Sequence, residues 1–112
     1  MPRFLAIYTM PNENVTRFRE LPKAEQDAID NRGLPAWAEW EKRTGDAIVE
    51  RGGMVGKNMR VTKSGTAPAS NDICGYLVVE AETIEAAAEL FEDHPHIQIF
   101  PGETVEIMPF VT

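Results

Sequence analysis

The amino-acid sequence predicts an α+β fold, in which a four-stranded antiparallel sheet carries its helices on one face. Two observations predict it. Four segments have the β-branched and aromatic composition of strands, and two longer amphipathic segments of helical period fall between them. Proline and glycine residues mark most of the junctions between these segments.

The strand predictions rest on composition and on the polar breaks between segments. Strands are predicted at residues 3–9, 54–62, 73–80 and 103–110. The polar stretch at residues 63–72 is predicted to be a loop, either a plain hairpin connection or a lid over a cleft.

The main helix is predicted at residues 35–51, with Pro35 at its entry and glycines after its end. Trp37 and Trp40 fall on its apolar arc, where tryptophans are more often core residues than a ligand-binding wall. A second helix is predicted at residues 83–93, capped by Thr83. A short helix with proline in its first turn is predicted before residues 31–33.

The order of these elements is strand, helix, strand, strand, helix, strand. This is the order of the ferredoxin-like fold, and at 112 residues we expect a single domain over residues 1–112. The chain is 43% hydrophobic and 26% charged, which is typical of a soluble globular protein.

Net charge limits the classes of partner, and the N-terminal segment bears on the location of the protein. The formal charge is −7 and the eleven Lys and Arg residues are scattered, which argues against nucleic acid as a partner. The N-terminal segment is too short and too soon polar for a signal peptide or membrane span, so we expect a cytoplasmic protein. The single cysteine, Cys74, excludes an intramolecular disulfide.

Both faces of the predicted sheet are apolar. In the first strand Phe4, Ala6 and Tyr8 alternate with Leu5 and Ile7. The third and last strands repeat this pattern, whereas a sheet with one wet face alternates apolar with polar residues. A bare apolar face of a few hundred Å² marks an interface or a binding groove. The sequence therefore predicts a homodimer in which two sheets pack face to face.

The only two histidines, His94 and His96, flank Pro95, which restrains both its own backbone and that of His94. Three interpretations stay open. The rings are structural, with His94 near the last carbonyls of the preceding helix. They are catalytic or orient a ligand. Or they bind zinc, which would need a third ligand such as Asp93 or Glu106.

Polar side chains on the predicted sheet favour a small-molecule cleft. Polar side chains are unfavourable in a fully dry interface, and the predicted sheet carries three of them: Tyr8, Arg60 and Glu106. Polar groups that converge in an apolar cleft are the usual sign of a ligand site. No Gly-x-Ser-x-Gly, Cys-x-x-Cys or dinucleotide glycine motif is present, and no cofactor is expected.

Several short motifs resemble the YCII-related (DGPF-domain) family. They are residues 75–80 (Gly-Tyr-Leu-Val-Val-Glu), an alanine-rich helix ending in His94-Pro95, a Gly-x-x-Val-Glu-Ile strand, Trp37-x-x-Trp40-Glu41 and Leu5-x-x-Tyr8. The resemblance spans nearly the whole chain. It implies a ferredoxin-like fold that forms a dimeric α/β barrel with a cleft, and in a few relatives cofactor-independent chemistry on small aromatic or ring-cleavage compounds.

The chain departs from the family in two places. The Asp-Gly-Pro-Phe segment is missing, and the corresponding loop reads Ala-Pro-Ala-Ser-Asn-Asp at residues 67–72. Trp37 stands near the position of a first-helix histidine proposed as catalytic in one branch, so that role is not carried over. His94 matches the family's His-Pro pair and is carried over only as a cleft or helix-end residue.

Together these observations favour a homodimer that binds a small organic molecule, aromatic or acidic, in a sheet-lined cleft. The sequence leaves open whether the protein is also a cofactor-independent enzyme, with His94 or His96 as the titrating group. The alternative is a non-catalytic binding or regulatory module with structural histidines.

Overall fold

The computed structural model describes all 112 residues. In chain order the elements are β1 (Arg3–Thr9), α1 (Asn12–Glu20), α2 (Lys23–Thr44), β2 (Ile48–Met54), β3 (Asn58–Thr62), β4 (Gly65–Ala69), β5 (Ile73–Glu80), α3 (Ile84–Glu89), α4 (Pro95–Gln98) and β6 (Thr104–Pro109).

Four strands form one antiparallel sheet in the order β2-β5-β1-β6. β1 lies between β5 and β6, and its central residue Ala6 pairs with Leu77 on one side and Ile107 on the other. The predicted α+β class with a four-stranded antiparallel sheet is confirmed.

The core lies between the sheet and the helices. Side chains two apart on β1, namely Phe4, Ala6 and Tyr8, are buried there, as their predicted common side requires. From the helical layer Trp40 is fully buried, and its indole N–H donates to the carbonyl of Leu90 at 2.7 Å. The tryptophan thereby joins α2 to the end of α3 and removes its one polar atom from competition with water.

The main helix differs from its prediction at both ends. α2 begins at Lys23, where the short helix was predicted to begin, so that helix is confirmed as the first part of α2. The predicted break at residues 31–33 was wrong, because the helix continues through Pro35 although one backbone hydrogen bond is lost there. It ends at Thr44, because Gly45 takes a left-handed φ of 56°. The predicted extension through residues 48–51 was wrong, since Ile48 begins a strand. α1 was not predicted.

The predicted second strand, residues 54–62, is confirmed only in part, because Asn58–Thr62 forms β3 but lies outside the four-stranded sheet. Within the predicted range only Met54 belongs to that sheet, as the end of β2, which pairs with β5 through two register shifts. Gly52 within β2 has a φ of 58°, and a Cβ there would overlap the carbonyl of Tyr76. Residues 58–62 instead pair with 65–69 in a separate two-stranded sheet, so the predicted loop at 63–72 contains β4.

The third helix is shorter than predicted. Thr83 caps it as expected, its hydroxyl accepting from the N–H of Ala86 at 3.0 Å. α3 then ends at Glu89 rather than residue 93. After a turn, Pro95 opens the one-turn helix α4, with His94 as its N-cap.

The chain on its own has an unusually large surface. Its accessible area is 7586 Å², whereas a compact monomer of this mass exposes about 6,200 Å². The radius of gyration is 15.6 Å, compared with about 13 Å expected for this length. The hairpin of β3 and β4 contributes to both, because nearly all its residues are exposed.

The helices were also compared with the requirements of a membrane span. None combines the length and the apolar character needed to cross a bilayer.

Candidate functional site

A chain of hydrogen bonds inside the protein joins β1 to the start of α4. The hydroxyl of Tyr8 lies 3.1 Å from Nε2 of His94. Nδ1 of His94 accepts from the backbone N–H of His96 at 2.9 Å, and Nε2 of His96 lies 2.9 Å from the carbonyl oxygen of Thr9. All four residues are buried. The two histidines thus meet the same end of β1.

Local sequence explains why both rings turn inward. Pro95 takes the first position of α4, where its missing N–H is no loss, and leaves His94 extended at φ −63° and ψ 136°. From there the His94 ring reaches forward as the N-cap. Gly102 lies against the ring of His96, and a Cβ at that position would overlap it.

Each ring has a defined protonation state. Because Nδ1 of His94 accepts from a backbone N–H, the proton of the neutral ring sits on Nε2, which donates to Tyr8. Burial, followed by the neighbouring His96, lowers the pKa of His94 to about 3. Burial also lowers the pKa of His96, against the opposing effect of its hydrogen bonds to backbone carbonyls. Both rings are therefore neutral at neutral pH.

Aromatic rings enclose His94. The edge of Trp37 meets it with ring centroids 4.4 Å apart, and Trp40 lies at the same distance. Phe91 stacks on it at 5.9 Å, and Tyr8 is tilted against it at 5.1 Å. This apolar enclosure is the physical reason that a charge on His94 is unfavourable.

A cavity of about 340 Å³ lies beside this cluster, between α2 and the β2 edge of the sheet. Its lining residues are Tyr8, Trp37, Glu41, Ile48, Arg51, Gly53, Met54, Tyr76 and Leu77. Most are apolar. The charged groups are Glu41 and Arg51, which form an ion pair with each other.

A second cavity, of about 360 Å³, lies on another side of Trp37. Its lining is almost entirely apolar, and its residues are Met10, Leu34, Trp37, Met54, His96 and Phe100. Trp37 and Met54 line both cavities. Trp40 is a core residue, as predicted, whereas Trp37 packs partly buried against the core and also lines both cavities.

The structure brings only some of the predicted site residues together. Tyr8, His94 and His96 are in contact. Glu106 pairs with Ile7, one residue along β1 from Tyr8, and so lies on the opposite face of the sheet. Arg60 lies on the exposed hairpin beside a shallow cavity formed by the hairpin itself. The roles assigned to Arg60 and Glu106 stay predictions.

Glu41 and Arg51 were not predicted as site residues. A signal existed for Glu41, because it follows Trp37 by four positions and must share its helix face. Arg51 had no such signal, since the helix was predicted to extend through it. Its place beside Glu41 depends on the early helix end at Thr44 and on the pairing of β2 with β5.

No group of three or more His, Cys, Asp or Glu side chains is arranged to hold a metal ion. No protein-family model matches the chain, and no curated protein matches its sequence. The resemblance to the YCII-related family stays a prediction from the residues.

Proposed function

We propose that the protein binds a small organic molecule in the cavity between α2 and the β2 edge of the sheet. The observation that carries this proposal is the position of Tyr8, which lines a mostly apolar cavity and whose hydroxyl is held by a hydrogen bond to the buried His94. Ligand sites of proteins are concave, largely apolar and fitted with a few fixed polar groups, and volumes of about 300–1,000 Å³ are usual.

The state of the histidines favours binding over acid–base catalysis. A general base works best when its pKa lies near the working pH, whereas the pKa of His94 is lowered to about 3. In a catalytic role His94 would act as a neutral hydrogen-bond donor that orients Tyr8. We therefore keep a cofactor-independent enzyme as the second candidate and place a non-catalytic binding or regulatory module first.

The proposed functional unit is a homodimer with a ferredoxin-like fold. The strand order β2-β5-β1-β6 and the placement of the helices support the fold assignment. The bare sheet face, with Leu5, Ile7 and Met108 on neighbouring strands, supports the dimer.

Family, location and partners remain proposals on sequence grounds. The motifs around Trp37 and His94 support membership of the YCII-related family. A cytoplasmic location stays a proposal, and the charge of −7 supports the absence of nucleic-acid partners.

The test is a screen of small organic compounds by protein-detected NMR, with cavity-filling variants. We expect binders to shift amide signals of α2 and β2. Ile48→Trp enlarges a side chain that lines the cavity and lies on the helix-facing side of β2, opposite buried Val79, and should abolish binding. Ile84→Trp, at the start of α3 and outside the cavity lining, should preserve it. Binding that survives Ile48→Trp would contradict the proposed site.

A further inference from the structure

We propose that the cavity beside Tyr8 selects neutral molecules with a hydrogen-bond acceptor, a carbonyl group above all, which the Tyr8 hydroxyl binds as donor. This inference rests on the proposed function and names the class of ligand for the same site. It follows from the positions of the His96 backbone proton, the His94 ring proton and the Tyr8 hydroxyl proton, and from the charge of Glu41.

The backbone N–H of His96 determines where the ring proton of His94 lies. The N–H of His96 donates to Nδ1 of His94, so that nitrogen carries no proton. The neutral ring then carries its proton on Nε2 and donates it to the oxygen of Tyr8 at 3.1 Å. The reverse direction, with Tyr8 donating to Nε2, would leave the ring without any proton.

Tyr8 consequently accepts from His94 and keeps its own hydroxyl proton. No other residue of the chain hydrogen-bonds to that oxygen. Tyr8 is only 2% exposed, and its raised pKa, due first to burial, keeps it protonated. A buried O–H without an acceptor is unfavourable by about 1–3 kcal/mol. An acceptor on a molecule in the adjacent cavity would satisfy it.

The charge beside the cavity disfavours an anionic acceptor. The carboxylate of Glu41 also raises the pKa of Tyr8, so its negative field reaches the hydroxyl. Its partner Arg51 is the more exposed member of the pair, with 80% of its side chain in water against 30% for Glu41. Water therefore screens the cation more than the carboxylate. A neutral carbonyl is not repelled by the Glu41 carboxylate, and its burial removes no charge from water.

The remaining wall is apolar and flat. Trp37, Ile48 and Leu77 offer aromatic and branched surfaces next to Tyr8. A molecule that fits has an apolar body and one neutral acceptor at its inner end.

Three probes of equal shape test the inference. Acetophenone carries a neutral carbonyl, benzoate an anionic acceptor and ethylbenzene no acceptor. Their dissociation constants are measured at pH 7 by NMR titration with wild type, Tyr8→Phe and Glu41→Gln.

Wild type should bind acetophenone about five-fold more tightly than ethylbenzene, the effect of one net hydrogen bond. Benzoate should bind more weakly than acetophenone. Tyr8→Phe should bring the ratio of acetophenone to ethylbenzene close to one, and Glu41→Gln should strengthen benzoate binding several-fold without changing acetophenone.

The wild-type comparisons require no variant to fold. Benzoate binding as tightly as acetophenone, or a carbonyl preference that persists in Tyr8→Phe, would overturn the inference and leave small-molecule binding intact. If none of the three probes shifts signals around the cavity, the proposed site itself fails, and the inference with it.

Discussion

At the scale of single residues, His94 illustrates how a histidine loses its usual chemistry. Its Nδ1 caps α4, its Nε2 donates to Tyr8 and its ring faces are covered by aromatic side chains. The sequence predicted that Pro95 keeps His94 extended, and it left open whether the two rings are structural, catalytic or metal-binding. It did not predict Tyr8 as the partner, because residues 86 positions apart meet only through the fold.

The buried neutral state of His94 predicts how stability depends on pH. The unfolded chain takes up a proton at His94 as the pH falls through about 6.5, whereas the folded chain does so only near the pKa of about 3. Stability is therefore fully present above pH 6.5 and falls below it, by up to about 1.4 kcal/mol per pH unit from this residue. The lowered pKa of His96 acts in the same direction.

The measurement is urea unfolding at pH 7, 6 and 5 for wild type and His94→Asn. Asparagine also caps helices but does not titrate. We expect the variant to be less stable at pH 7, having lost the bond to Tyr8, and to lose about 1–2 kcal/mol less than wild type between pH 7 and 5. An identical pH dependence in both proteins would contradict a neutral buried His94.

At the scale of elements, glycines decide where the chain turns and how closely it packs. Gly45 ends α2 before the amphipathic pattern does, which is why the helix prediction ran on to residue 51. An amphipathic pattern shows which face a helix would bury, but it does not show where the helix ends. Ile48 falls on the apolar arc of the predicted helix, although it belongs to β2. Pairing with β5 overrides the local pattern.

Gly102 predicts a site-specific packing defect between α4 and β6. Gly102→Ala places a methyl group against the ring of His96, whose own position is fixed by Thr9. We expect a loss of about 1–3 kcal/mol in the free energy of unfolding, as for other overpacked sites. Gly56→Ala, with open space at its Cβ, should be neutral or slightly stabilising. The methyl group would also overlap the backbone carbonyl oxygen of His96, so equal stability of the two variants in urea unfolding would contradict close packing between α4 and Gly102.

At the scale of the whole molecule, the sequence predicted the class of fold correctly but did not predict correctly which segments form the four-stranded sheet. The alternation in β1 grouped Phe4, Ala6 and Tyr8 on one face, and the core confirms that grouping. It did not say which face the helices cover, because both faces are apolar. Residues 58–62 form a strand as predicted but pair with residues 65–69, because strand composition does not determine the partner strand. Around the cavity, the sequence had singled out Tyr8 and Trp37 but not Glu41 and Arg51, whose ion pair depends on where α2 ends.

The bare sheet face gives the last prediction, the homodimer. Met108 lies on this face, 40% exposed in the single chain, and would be covered by a second copy. Met108→Lys places two like charges in that interface, so we expect a monomer in sedimentation equilibrium, whereas wild type should have twice the 12.5 kDa mass of one chain. Ile84→Lys is the matched control, because Ile84 is 38% exposed but lies at the start of α3, in the helical layer. This variant should stay dimeric. A wild-type monomer at micromolar concentration would exclude the dimer, and dissociation by both variants alike would show that the contact does not lie on the sheet face.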